Sequence, residues 1–321
     1  MRIVATLQQV IYGIREYNIL EGHERSAISV SFSPDGKLIA SGGDDATVRI
    51  WQRDGRGIAT LRGHEDSIRS VAWSPDGKWL ASGSYDKIIQ LWRLDGTLLA
   101  TLPGHTGSVN SLSFSDDSKL LASGGTDAQV KLWQVNTTTG KATLWQTLSA
   151  HEGKVWDLNF SPDSNLLASA GADKTIQLWE IDTAKLEIKP LEALKDHNSS
   201  IYSVAWSPDG NSIASASADT TIKLWHPRLQ PLNKFTEHEA KIRDVALNPE
   251  GTMIASADEA GIIKLRSLNN PVSVQTIQGH NDVITQITWL PNGKNFASAS
   301  LDGTIKLWQS NGQLKVNCYE L

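Results

Sequence analysis

Histidine, serine and aspartate recur along this chain at spacings that could build a hydrolytic site. His23, His64, His105, His151, His197, His238 and His280 are each followed 18 residues later by a serine: Ser41, Ser82, Ser123, Ser169, Ser215, Ser256 and Ser298. A Trp stands 28 residues after the His, at Trp51, Trp92, Trp133, Trp179, Trp225 and Trp308, with Arg266 in the sixth copy. Six residues before each Trp is an aspartate: Asp45, Asp86, Asp127, Asp173, Asp219 and Asp302, with Ala260 in the sixth copy. A His that takes a Ser proton while an Asp orients it is the chemistry of nucleophilic acyl transfer. Catalysis needs one such set, however, and this chain has six complete sets and a defective seventh.

Repetition favours another use for the same atoms. A Trp buried between sheets needs an acceptor for its indole N–H. Ser, His and Asp can relay hydrogen bonds from that N–H to a backbone amide. Each link contributes about 0.5–1.5 kcal/mol net, whereas an orphaned buried member costs about 1–3 kcal/mol. The sets are therefore expected to be scaffold and the chain not to be an enzyme. In the sixth set His238 and Ser256 lose two companions, and Arg266 is expected to find Asp258 or Glu259, or solvent. Metal chemistry fares no better. Four His-Glu pairs begin at His23, His64, His151 and His238, but the fourth residue after each His is Ala27, Ile68, Val155 or Ile242. A zinc-hydrolase helix requires a second His there. No metal and no cofactor are expected, and no Gly-rich loop followed by Lys-Ser/Thr offers a nucleotide site.

The elements that must position these sets are short strands. After His64 come Ile68, Val71 and Trp73, the turn Ser74-Pro75-Asp76-Gly77, then Leu80-Ala81-Ser82-Gly83, then Asp86, then Ile88 to Trp92. β-Branched and aromatic runs divided by Pro, Asp and Gly read as strands joined by tight turns. The turn recurs at Ser33 to Gly36, Ser207 to Gly210 and Asn248 to Gly251, while Ser115 to Ser118 lacks both Pro and Gly. A fourth strand precedes each His, with apolar residues three and six before it, such as Leu61 and Ile58. One unit of 41 to 46 residues copied seven times is the pattern of a propeller blade repeated around an axis. The predicted fold is all-β, a seven-bladed β-propeller of four-stranded antiparallel blades.

The Gly-His pairs at Gly22, Gly63, Gly104 and Gly279, and the strands ending Leu-Trp, as at Leu91-Trp92, resemble the WD-repeat family over roughly residues 17 to 308. Ala150, Asp196 and Glu237 replace that Gly elsewhere, and the residue after the Trp is never Asp. The resemblance implies that three variable positions line the face around a central channel, where partners dock. The first lies five after the His, where a three-residue apolar step implies a β-bulge: Ile28, Arg69, Asn110, Trp156, Tyr202, Arg243 and Thr285. The others lie three after the His and just before the turn Asp. Arg69, Tyr85, Lys154, Trp156, Tyr202, Lys241 and Arg243 stand out among them as partner-binding candidates. Trp, Tyr and Arg are the residues most enriched at interface hot spots, and this set suits an extended peptide with acidic or aromatic side chains.

The opposite rim gains extra residues near Asn136 to Lys141 and Asp182 to Glu187, in longer hairpins expected to project from it. Residues 1–14 are expected to form a helical or irregular lead-in, because Ile3, Leu7, Ile11 and Ile14 recur at helical spacing. Residues 15–321 then form the propeller, its last blade closed by a strand near 15–20, with a hairpin at Asn311-Gly312 and a strand from Leu314 to Cys318 as the alternative. The stretch from Leu7 to Tyr17 also resembles the junction entering C-terminal propellers of bacterial multidomain signalling NTPases, which implies a sensing or regulatory module of a larger ATPase. A net charge of −5 disfavours nucleic acid as a partner. One cysteine, Cys318, fits a reducing compartment, and no apolar run reaches membrane-spanning length. The expectation is a cytoplasmic protein with a protein or peptide partner on the top rim, no membrane partner, and a monomeric state for the isolated domain.

Overall fold

The computed structural model describes residues 11–314, apart from 184, 186, 228–230 and 270–273. β-Branched runs and turn residues alternate as the sequence requires, and the chain folds into seven antiparallel sheets. In the second of them, Ile68–Trp73, Trp79–Ser84, Ile88–Arg93 and Leu98–Pro103 pair in chain order. The innermost strand of each sheet packs on that of the next, and Ala27–Phe32 packs on Ile284–Trp289 to close the ring. The result is a seven-bladed β-propeller.

Burial follows from this stacking. Each blade is covered on both faces, so the second strand of a blade has no polar side: Trp79–Ser84 is buried at every position. Residues of adjacent blades share a core, as where Ile89 and Leu91 meet Val109, Leu112 and Trp133. Each such side chain contributes about 1.5–3 kcal/mol when fully buried. The Ser-Pro-Asp-Gly turn is held by its own residues: Ser33 Oγ donates to Asp35 Oδ1 at 2.7 Å, and Gly36 adopts φ 66°. In the third blade Ser118 holds φ 59° without a Gly. Its hydroxyl accepts the Asp76 N–H at 3.0 Å, an inter-blade bond that offsets the left-handed cost.

Three features depart from expectation. Ile11–Leu20 is one strand pairing with Ile305–Leu314, so the helical spacing of Ile11 and Ile14 forms no helix there. The open edge of the last blade offers that segment a full ladder of hydrogen bonds. Residues 311–312 continue this ladder and make no hairpin. Residues 1–10 and 315–321 lie outside the described residues. The fourth blade has five strands, because Glu187–Pro190 and Leu194–Lys195 both pair with Thr175–Asp182. Pro190 supplies no N–H, and the outer strand breaks after it. Finally, the long hairpin of the third blade does not simply project. Gly140 is buried, and a Cβ there would stand 2.7 Å from Leu99 Cδ1 and 3.3 Å from Trp79. It folds back over the second blade.

Candidate functional site: the mouth of the central channel

The repeated polar sets must be placed before the site can be found. In all seven blades the His Nε2 meets the Ser Oγ, at 2.6 to 2.9 Å. Trp51, Trp92, Trp133, Trp225 and Trp308 donate their indole N–H to that same oxygen at 2.8 to 2.9 Å. The His Nδ1 meets its carboxylate at 2.7 to 3.0 Å. A carboxylate only accepts, so Nδ1 carries the hydrogen and Nε2 accepts from the serine. In six blades the Asp then accepts the backbone N–H after the His, as from Glu65 at 3.1 Å and Asn198 at 2.9 Å. The seven serines are at most 2% exposed, so no substrate carbonyl could reach one. Trp179 is an exception within this pattern: among the described residues its buried N–H meets no acceptor.

The sixth blade is repaired rather than depleted. Asp258, two residues before Ala260, reaches His238 Nδ1 at 2.7 Å and accepts the N–H groups of Ala260 and Ile262 at 3.0 Å each. Arg266 pairs with neither Asp258 nor Glu259 but with Glu237, which stands where four other blades have Gly. Its guanidinium lies 4.5 Å over the Phe235 ring. A stack of the buried Arg266 on Phe235 and an ion pair thus replace the missing indole.

The variable positions converge. Every blade has its register shift across the fifth residue after the His, between Ala27/Ser29, Ile68/Ser70, Val109/Ser111, Val155/Asp157, Ile201/Ser203, Ile242/Asp244 and Ile284/Gln286. All seven bulge residues line one cavity of about 90 Å³ at the mouth of the channel. The other two variable positions are tied to each other. In all seven blades the residue before the turn Asp, or its counterpart Glu259, donates its N–H to the carbonyl three after the His, at 2.9 to 3.0 Å. Tyr85 and Ser67 are one such pair; Glu259 and Lys241 are another.

The side chains named from sequence fall into two groups here. Trp156 and Tyr202 meet edge to face at 5.5 Å, and Arg243 lies 4.4 Å over Tyr202. Lys154 stands 5.3 Å over Trp156. Arg69 forms a separate pair with Tyr85, 5.1 Å over its ring, and Tyr85 is exposed. Lys241 does not stand alone. Glu259 takes both Lys241 at 3.6 Å and Arg243 at 3.5 Å, an acid that the search for cations and aromatics passed over.

A second ring of residues was also missed. The side chain six after each His accepts the N–H of the residue seven after the His in the next blade. Ser29 takes Val71, Ser70 takes Leu112, Ser111 takes Leu158 and Asp157 takes Val204. Ser203 takes Val245 at 3.4 Å, Asp244 takes Ile287 at 2.7 Å and Gln286 takes Val30 at 2.8 Å, closing the circle. Two of these acceptors are carboxylates facing the channel. Burial pushes Asp244 up to about 7, helped by the charge of Asp157, and burial raises Asp157 as well. Beneath this ring the channel widens to a cavity of about 400 Å³.

The class is thus a seven-bladed propeller whose repeated polar sets are structural and whose seven bulges surround one mouth. The model of the WD domain, G-beta repeat, matches residues 15–52, 55–93, 96–134, 142–180, 188–226, 229–267 and 271–309. The chain belongs to the WD-repeat family. A Notchless protein homolog of Arabidopsis thaliana is 48% identical over 48 residues, 14% of this chain and 10% of that protein. The vegetative incompatibility protein HET-E-1 of Podospora anserina is 59% identical over 32 residues, 10% of this chain and 2% of that protein. The chain therefore matches only a small part of the length of these relatives. No helix among the described residues is long and apolar enough to cross a membrane.

Proposed function

We propose that this chain is a non-catalytic recognition scaffold that binds a protein or extended peptide on the face around the channel mouth. One observation carries the reading: seven structurally equivalent bulge residues face one mouth and share no chemistry, whereas the polar sets between the strands repeat. Unlike the ring of acceptors below them, these residues share no common bond within the fold, which leaves their variety to answer to something outside it. Trp156, Tyr202 and Arg243 form the contiguous part of this surface, with Lys154 and Lys241 beside them and Arg69 and Tyr85 across it. Aromatic and Arg side chains supply most of the energy at interfaces. The reading includes a cytoplasmic setting, from the single cysteine, and no nucleic-acid partner, from the acidic net charge.

The test is affinity capture with the wild type beside Trp156→Ala, Arg243→Ala and a substitution in the hairpin at Asn136. Proteins lost from the first two variants and kept by the third support the reading. Proteins kept by both rim variants overturn it. A second reading is a partner-sensing domain of a larger signalling ATPase. It is favoured by the relatives, which carry the matching segment in much longer chains. A nucleotide-binding domain in the full gene product would support it.

A further inference from the structure

Counting donors and acceptors at the channel mouth separates what the fold uses from what it leaves over. The acceptors are engaged. Asp157 takes the Ser111 hydroxyl at 2.6 Å and the Val204 N–H at 2.9 Å. Asp244 takes the N–H groups of Val245 at 2.9 Å and Ile287 at 2.7 Å. Gln286 Oε1 takes Val30. The smaller donors are engaged too: Asn110 donates to the Val155 carbonyl at 2.7 Å, and Thr285 to that of Ala299 at 3.1 Å.

Two donors on the same cavity are not. Trp156 lines the cavity, and among the described residues its buried Nε1–H meets no acceptor. Among the described residues, Arg69 makes neither a hydrogen bond nor an ion pair, although it is half-buried and lines the cavity. Its guanidinium rests on Tyr85 and remains charged at any ordinary pH. Burial and the nearby charge of Arg243 both disfavour that charge. The buried Trp156 N–H forfeits about 1–3 kcal/mol by going unmet, whereas the half-buried Arg69 keeps its donors open at the mouth.

We propose that the mouth accepts a single carboxylate of the bound partner, held by the Arg69 guanidinium and the Trp156 indole N–H. This rests on the rim-binding reading and names the group recognised there. The geometry selects the sign of the ligand. Arg69 and Arg243 both line the cavity and repel a cation there, and the acids below already serve the backbone. A phosphate would set a second negative charge above Asp157 and Asp244. A carboxylate brings one charge and two acceptor atoms for two waiting donors. The cavity, about 90 Å³, exceeds several-fold what one water needs.

The test follows the Trp156 indole N–H by NMR in protein carrying isotope-labelled tryptophan, its signal assigned by its absence in Trp156→Phe. Three capped tripeptides serve as probes: acetyl-Gly-Glu-Gly-amide, acetyl-Gly-Gln-Gly-amide, and acetyl-Gly-Gly-Gly with a free C-terminal carboxylate. The Trp156 signal should move and saturate with at least one carboxylate peptide and stay still with the glutamine peptide. Which carboxylate peptide moves it distinguishes a side chain from a chain terminus. In Arg69→Gln the affinity should fall about tenfold or more, the loss expected of a charge-assisted hydrogen bond. Unchanged signals from Trp92 and Trp225 would show that variant to be folded. No saturable movement with either carboxylate peptide, equal movement with glutamine, or an indifferent Arg69→Gln would overturn the proposal. Failure here with capture still dependent on Trp156 or Arg243 removes the carboxylate alone; capture indifferent to both removes the rim reading itself.

Discussion

The polar sets between the strands and the mouth of the channel hold similar side chains in opposite states. Between strands, Trp225 donates to Ser215, Ser215 to His197 and His197 to Asp219, and Asp219 accepts the Asn198 N–H. Nothing is left to offer a ligand. At the mouth, Trp156 and Arg69 keep donors that no neighbour among the described residues takes. A Trp whose N–H meets an acceptor within the fold is committed there; Trp156 lines the mouth without that commitment. Closed chemistry can be copied from blade to blade, because it depends on nothing beyond the blade. Open chemistry cannot be copied freely without multiplying the cost of unmet donors.

Substitution should expose this difference most plainly in stability. Ser215→Ala removes the acceptor of the Trp225 N–H and the donor to His197, two groups that are almost wholly buried. Urea unfolding should show a loss of roughly 1–3 kcal/mol for each orphaned group. Arg69→Gln removes no hydrogen bond or ion pair that the described residues make, and should stay within about 0.5 kcal/mol of the wild type. Equal losses in the two variants would erase the distinction between closed and open sets.

The sixth blade offers a narrower comparison. Asp258 stands in for the absent turn acid, so Asp258→Ala should destabilise by roughly 1–3 kcal/mol for the buried His238 N–H alone, with two backbone amides left unmet beside it. Asp219→Ala in the fifth blade should cost a similar amount in the same urea measurement. A silent Asp258→Ala would mean that this blade holds together without the relay.

These two blades also mark where the sequence could be read. The relay was legible because residue identity and offset repeat together, and the bulge because a three-residue apolar step breaks β alternation. Asp258 was hidden by a shift of two positions, which an alignment at fixed offset scores as the Ala260 gap. The acceptor ring was hidden for another reason. Ser29, Asp157 and Gln286 share an accepting oxygen but neither size nor charge, so their common role has no signature in residue type. The Glu237–Arg266 pair joins positions 29 residues apart and emerges only once the strands are laid beside each other. The fold over Gly140 needs the neighbouring blade before Leu99 and Trp79 come into view.

Titration sharpens the comparison with opposite signs. Burial lowers the pKa of His23, His105, His151, His197 and His280 from 6.5, against the pull of their aspartates. The folded state then binds fewer protons than the unfolded chain, so stability is full above about 6.5 and falls as pH drops below it. Asp244 runs the other way. Its pKa is raised from 3.8 to about 7, the folded state binds more protons, and stability falls as pH rises from about 4 to about 7. Melting temperatures of the wild type and Asp244→Asn, taken across that range, should diverge in the variant's favour as pH rises. A constant difference would show that Asp244 titrates alike in both states.

The smallest effect lies on the rim itself. Glu259 holds Lys241 and Arg243 at 3.6 and 3.5 Å, partly exposed to solvent. Such pairs contribute about 0–1 kcal/mol, so Glu259→Gln should leave the urea midpoint nearly unchanged. Its consequence should be electrostatic instead. The substitution removes the negative charge beside the Arg243 guanidinium, which lines the mouth. Acetyl-Gly-Glu-Gly-amide should then bind a few-fold more tightly, with the gain shrinking as salt is added, because exposed charges are screened over roughly 8–10 Å at moderate ionic strength. Unchanged affinity at low salt would mean that Arg243 stands too far from the captured group to feel it, leaving Arg69 and Trp156 as the whole site. Tighter binding would instead make Glu259 a built-in competitor, an internal carboxylate that holds the rim cations until a partner brings its own.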